Sequence, residues 1–140
     1  MKIKRNRRKG MSIKVQRIYI AGALSSKEKA DRDPSSIIVD YISNVSAMCK
    51  AASAVMRKGH CPYVPCLDLL LGVVDGDWEE DDYRTINLGF LKVCDAVLVI
   101  SKSFGVEQEV KLAKSLGLKI YSNIGEVPYA GEDKGSAKVR

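Results

Sequence analysis

The sequence predicts a single α/β domain, a parallel sheet of four or five strands with helices on both faces. Three observations carry that prediction. The runs IYIA at 18–21 and AVLVI at 96–100 are short and uninterruptedly apolar, as strands buried on both faces are. Longer segments beside them repeat their apolar residues every three or four positions, the period of a helix. Residues 95–121 read strand, Ser/Gly turn, helix, strand, the unit from which parallel sheets are assembled.

The first strand covers residues 15–21 and opens at Gly22 into a loop, where a glycine lets the backbone pass close to a ligand. The polar loop at 23–36 contains Pro34 and is long for this class, which marks it as functional or mobile. From 37 to 58 a long helix is expected, with Ile38, Ile42, Val45, Cys49, Ala52 and Met56 on its apolar face, Ser35 and Ser36 as candidate caps and Gly59 as its stop. A second strand, CPYVP at 61–65, has prolines near both ends and so belongs at a sheet edge. Residues 66–77 read as a mixed loop. A third helix follows at 79–93, its acidic start (Glu79, Glu80, Asp81, Asp82) matching the positive helix end.

The last helix carries Val106, Val110, Ala113 and Leu116 on its apolar face, with Glu107 and Glu109 expected in its first turn. A carboxylate there has its charged form favoured and faces any ligand at the carboxyl rim of the sheet. That rim consists of residues 22–26, the segment after Pro65, and residues 101–109. Such a sheet, with ligands bound beyond the carboxyl ends of its strands where the order reverses, is Rossmann-like (flavodoxin-like). The folded domain is read as residues 15–122, between a basic disordered leader (1–14) and a disordered tail (123–140) without periodicity.

Charge narrows the function. The net charge of +6 arises in the leader: residues 1–10 hold six of the 23 basic side chains and no acid, leaving 17 of each sign in the remainder. Nucleic acid is therefore expected only as a weak contact of that leader. No secretory signal or membrane span is read, so a cytoplasmic protein without membrane attachment is expected. Cys49, Cys61, Cys66 and Cys94 lack paired CxxC spacing and His60 is the sole histidine, so no metal site is expected and the thiols are read as reduced.

Four segments, IYIAG at 18–22, GHCPYVP at 59–65, CDAVLVI at 94–100 and SFGVEQE at 103–109, together resemble the nucleoside 2-deoxyribosyltransferase superfamily, closest to its small 2'-deoxynucleoside 5'-monophosphate N-glycosidase-like members. The resemblance spans roughly residues 16–121. It implies that Glu109 is the nucleophile at the anomeric carbon, that Ser103 holds the 5'-phosphate with Gly105 in the same turn, and that Tyr19 and Gly22 line the sugar site. It also implies a homodimer and no cofactor. Two departures stand out. Ala23 follows Gly22 where the hydrolases carry a phosphate-binding arginine, and Asn87 stands where they place an aspartate that helps protonate the leaving base. An amide orients a base but gives up no proton as an acid does, so Asp82 or Asp81 is the candidate substitute.

The residues themselves allow a plainer account. Glu107 and Glu109 could serve only the helix dipole and Ser103 only as a cap. Asp95 is read as an acceptor for loop amides that supports the site, His60 as a surface or satisfied residue away from the rim, and Trp78 as either a stacking surface for a base or a packing anchor. Two functions are thus expected: an N-glycosidase or deoxyribosyltransferase acting on a deoxynucleoside or its 5'-monophosphate, or a nucleotide-binding module on the same fold without turnover.

Overall fold

The computed structural model describes residues 12–24 and 33–131. Its elements run β1 (Arg17–Ala21), α1 (Pro34–Arg57), β2 (Cys61–Tyr63), a 3-10 turn (Pro65–Asp68), α2 (Leu69–Asp75), α3 (Glu80–Leu91), β3 (Ala96–Val99), α4 (Phe104–Ser115), β4 (Lys119–Tyr121) and a second 3-10 turn (Ile124–Glu126). The four strands are all parallel, in the order β2-β1-β3-β4. Neighbours of β1 lie on both sides, so the order reverses there, and in sheets of this kind ligands bind beyond the carboxyl ends of the strands at such a reversal. The proline-bounded β2 is an edge strand, as its sequence requires.

Alternation along β1 builds two cores. Ile18 and Ile20 point to one face and meet Met48, Ala52 and Val55 of α1 together with Ala96 and Leu98. Tyr19 and Ala21 point to the other and meet Leu91 at the end of α3, Val106 and Ala113 of α4, and Val97. Ile18, Tyr19, Ile20, Val55, Leu91, Val97 and Leu98 are wholly buried. At about 1.5–3 kcal/mol for a fully buried large apolar side chain, these two layers supply the main drive for folding.

Several elements depart from the sequence reading. Pro34 belongs to α1 rather than to a loop: it occupies the first turn, where its missing N–H costs nothing, and the Asp33 carbonyl accepts from Ser36 N and Ile37 N at 3.0 and 3.2 Å. The core stripe of α1 is Val45, Met48, Ala52 and Val55, while Ile38, Ile42 and Met56 remain exposed. Residues 66–77 are not a plain loop: a 3-10 turn to Asp68 leads into helix α2 at Leu69–Asp75. Gly72 is buried there because α3 approaches so closely that a Cβ would lie 1.7 Å from the Tyr83 hydroxyl oxygen. Trp78 packs on Tyr83 with ring centroids 5.1 Å apart, which is the anchoring role.

Part of the expected tail is ordered. Val127 is buried, Lys58 Nζ donates to the Ile124 and Val127 carbonyls at 2.7 Å each, and Ala130 N donates to the Lys58 carbonyl at 2.8 Å. His60, also buried, accepts from Gln16 N at 3.0 Å through Nδ1, and its Nε2 lies 2.6 Å from the Pro128 carbonyl. The histidine is therefore satisfied by backbone groups, and it sits at the amino end of β2, away from the rim. Residues 1–11 with their basic cluster, residues 25–32 of the polar loop and the tail beyond 131 lie outside the described residues. None of the described helices is long and apolar enough to cross a membrane.

Candidate active site

Helix α4 starts where Ser103 stops extending the chain. Its side chain accepts from Val106 N at 3.2 Å and its carbonyl from Glu107 N at 2.9 Å, so Ser103 is the N-cap and Gly105 lies within the first turn. Glu107 falls in that turn and is exposed. Glu109 does not: it lies on the next turn, about 9 Å along the axis from Ser103. There it joins Val106, Val110 and Ala113 on the side of the helix that faces the sheet.

The Glu109 side chain consequently points inward, and the hydroxyl of the wholly buried Tyr19 donates to its Oε1 at 2.9 Å. Burial, only partly offset by that hydrogen bond, raises its pKa from the ordinary 4.5 to about 7. This reverses the expectation of a carboxylate held ionised by the helix end; two turns into an apolar interface, desolvation wins. Burial and the neighbouring Glu109 push the Tyr19 phenol far above its ordinary range, so it stays a hydrogen-bond donor.

A second pair adjoins the first. Tyr63 of β2 is the register partner of Tyr19, with ring centroids 5.6 Å apart, and Phe90 of α3 stacks on Tyr63 at 4.7 Å. The Tyr63 hydroxyl donates to Asp68 Oδ2 at 2.9 Å, and Asn87 Oδ1 lies 3.4 Å from the Tyr63 hydroxyl oxygen. A phenol has one proton, so with Asp68 as its acceptor the Asn87 amide satisfies both only by turning its NH2 toward the tyrosine. Burial, and then the bond to Asp68, raise the Tyr63 phenol above its ordinary range. The Tyr19–Glu109 and Tyr63–Asp68–Asn87 groups thus share one face of the sheet near the carboxyl ends of β1 and β2.

Other candidates stand elsewhere. Asp95 lies at the amino end of β3, five residues and about 16 Å of extended chain from the rim, so it does not support the site. It accepts from Arg17 N at 2.7 Å and from the Arg17 guanidinium at 3.4 Å, and these bonds, the backbone one foremost, hold its carboxyl below the usual range. Asp82 closes a capping box, accepting from Glu79 N at 2.7 Å, and Asp81 is exposed in the same turn. Gly22 is small for the core's sake: a Cβ there would meet Ile100 at 2.9 Å and Met48 at 3.0 Å, and no ligand is needed to explain it.

A cavity of about 650 Å³ opens on the opposite flank of α4, between Val99, Val110 and Ile120, with Lys102, Lys111 and Lys114 around it. It includes neither Glu109 nor Tyr19, so volume and chemistry point to different flanks of the helix. The chemistry is the firmer guide, since the buried carboxyl and its hydroxyl partner are specific, whereas an apolar hollow beside lysines is a common consequence of an uncovered sheet edge. Among the described residues no group of three or more His, Cys, Asp or Glu is placed to hold a metal ion.

Tyr63, Asp68 and Phe90 are the site residues that sequence reasoning missed. A signal existed: Asp68 follows directly on the carboxyl end of the strand that ends at Pro65, the place where such sheets keep their polar groups. No family model matches this chain, no curated protein matches it, and no solved structure matches it.

Proposed function

We propose that the chain is an N-glycosidase or deoxyribosyltransferase, acting on a deoxynucleoside or its 5'-monophosphate through Glu109. The observation that carries this reading is the inward-facing Glu109 carboxyl, bonded to the Tyr19 hydroxyl at 2.9 Å and raised by burial to about 7. A carboxyl on the core-facing side of a helix is costly to keep, and strongly perturbed pKa values gather where chemistry is done. The resemblance of the four segments to the deoxyribosyltransferase superfamily supports the same residue for the same role.

Breaking an N-glycosidic bond builds positive charge on the sugar, which an adjacent carboxylate stabilises and can capture as a glycosyl ester. Tyr19 holds one oxygen of Glu109 and leaves the other for the anomeric carbon. Ser103 caps α4 as an acceptor, and its hydroxyl proton is free to donate to a 5'-phosphate. The first N–H groups of α4 favour an anion at the same place. Water or a second base then resolves the ester.

The test is incubation with each deoxynucleoside and its 5'-monophosphate, with chromatographic detection of the free base. Release that disappears with Glu109→Gln supports the reading; no release from any of them, or release that survives the substitution, removes it. The rival reading, a binding module without turnover, is favoured by Asn87, whose amide has no acidic proton. It would give ligand-dependent melting shifts without product.

A homodimer belongs to the same proposal. Leu67, Leu70, Val73 and Val74, in and just before α2, are exposed, as are Ile38, Val39 and Ile42 of α1. That much unpaired aliphatic surface suits a self-complementary interface. A single monomer mass in sedimentation at high micromolar concentration would remove it.

A further inference from the structure

Glycosidic cleavage has a second half. When the bonding electron pair leaves with the base, the base needs a proton, and a carboxylate engaged at the sugar cannot supply it. Asn87 has none to give. Among the described residues, the carboxyl group linked to Tyr19 through the neighbouring Tyr63 is Asp68, at the end of the turn that follows β2. It is tied to Tyr63 at 2.9 Å, Tyr63 stands against Tyr19, and Phe90 fixes the Tyr63 ring from α3 by stacking at 4.7 Å. Asp68 therefore has a determined orientation, with Oδ2 occupied by the tyrosine and Oδ1 left for another partner.

We propose that Asp68 is the group that protonates the departing base, an assignment that rests on reading Glu109 as the nucleophile. In the first step a Glu109 oxygen bonds to the anomeric carbon as the carbon–nitrogen bond breaks. The electron pair of that bond passes to the base nitrogen, and the carboxylic proton of Asp68 passes to the base, which departs neutral and leaves Asp68 ionised. In hydrolysis Asp68 then takes a proton from the attacking water, the new carbon–oxygen bond forms, and Glu109 is released as a carboxylate. Each group ends in its starting state. The reactive form holds one proton, on Asp68 with Glu109 ionised, and it has the same total charge as the form with that proton on Glu109. Tyr63 is a positioning residue in this scheme, and Asn87 orients the base.

The experiment compares two kinds of leaving group. Wild type, Asp68→Asn, Asp68→Ser and Glu109→Gln are given the natural deoxynucleoside monophosphates and 7-methyl-deoxyguanosine monophosphate, whose base already carries the positive charge that protonation would provide. Melting temperatures confirm that the variants fold. In single-turnover reactions with enzyme in excess, which read only the bond-breaking step, both Asp68 variants should release natural bases about 10²- to 10⁴-fold more slowly than wild type, the usual worth of a general acid. They should lose less than tenfold on the methylated substrate. Glu109→Gln should lose both. Equal losses on both substrates with Asp68→Asn, or no loss on either, overturn the assignment and leave the Glu109 reading intact. Absence of release by the wild-type protein removes that reading as well, a pattern the variants cannot mimic.

Discussion

The Tyr19 hydroxyl and Glu109 Oε1 are 2.9 Å apart across 90 positions of sequence, a bond between the first strand and the last helix. One partner is wholly buried and the other sits in the apolar interface of α4 with the sheet, so the carboxyl is held mainly in its neutral form below pH 7. The bond is therefore both a fold contact and a control on the charge of the group proposed to react.

The first prediction concerns pH. Glu109 titrates at about 7 when folded and near its ordinary 4.5 when unfolded. Between those values the folded state binds more protons, so stability from this group is fully present below pH 4.5 and falls as pH rises through 7. The loss is on the order of 3 kcal/mol at most, at 1.36 kcal/mol per unit. Glu109→Gln should flatten this part of the curve and be the more stable protein at pH 8, as read by urea denaturation at several pH values. The activity falls over the same range: the reactive form keeps one proton on the Glu109–Asp68 pair, so kcat/KM should fall as pH rises through an apparent value near 7.

A second prediction isolates the hydroxyl. The Tyr19 bond is the one influence that lowers the Glu109 pKa, so Tyr19→Phe should move the falling limb of kcat/KM to higher pH. Each unit of movement makes the form with Glu109 ionised and Asp68 protonated about tenfold scarcer and lowers the rate below that limb by the same factor. Stability should fall by about 1–2 kcal/mol at pH 8, where the carboxylate is charged, and by less at pH 5, since bonds to charged groups are the stronger. A limb that stays in place would show that the hydroxyl does not govern the titration.

The sheet was legible in the sequence because β1 and β3 are buried on both faces, which forces contiguous apolar runs such as 18–21 and 96–99. The face of α1 was less so: Ile38, Ile42 and Met56 keep the helical period yet stay exposed, and periodicity alone cannot say which of two overlapping stripes meets the core. Helix α2 was illegible, since Leu69, Leu70, Leu71, Val73 and Val74 are apolar all round and carry no period. Of the site, Glu109, Tyr19 and Asn87 could be named from the chain. For Asp68 only the position on the rim after Pro65 was legible, because its relation to Tyr63 exists only once the turn after β2 has formed.

Gly72 gives a test of that turn's support. An added Cβ would lie 1.7 Å from the Tyr83 hydroxyl oxygen and 2.8 Å from Trp78 Cβ, so Gly72→Ala must push α2 off α3. Overpacking of this kind costs about 1–3 kcal/mol. Combining it with Tyr83→Phe removes the nearest atom and should recover part of the loss, measured by thermal unfolding of both variants. A strictly additive pair would show that the two residues do not meet.

The last prediction addresses the order of residues 124–130, which local sequence does not specify. Lys58 supplies it from a distance: its ammonium spans the Ile124 and Val127 carbonyls and lies 5.0 Å from the centre of the Tyr129 ring. Lys58→Met keeps the aliphatic stem and removes the charge, leaving two carbonyls without their donor at an expected cost of about 1–3 kcal/mol. Backbone amides of 126–130 should exchange with solvent at least tenfold faster than in wild type, while those of β1 and β3 slow or speed only with global stability. If the segment instead exchanges in step with the strands, the buried Val127 and the His60 contact hold it without the lysine, and the ammonium merely decorates a strap already closed.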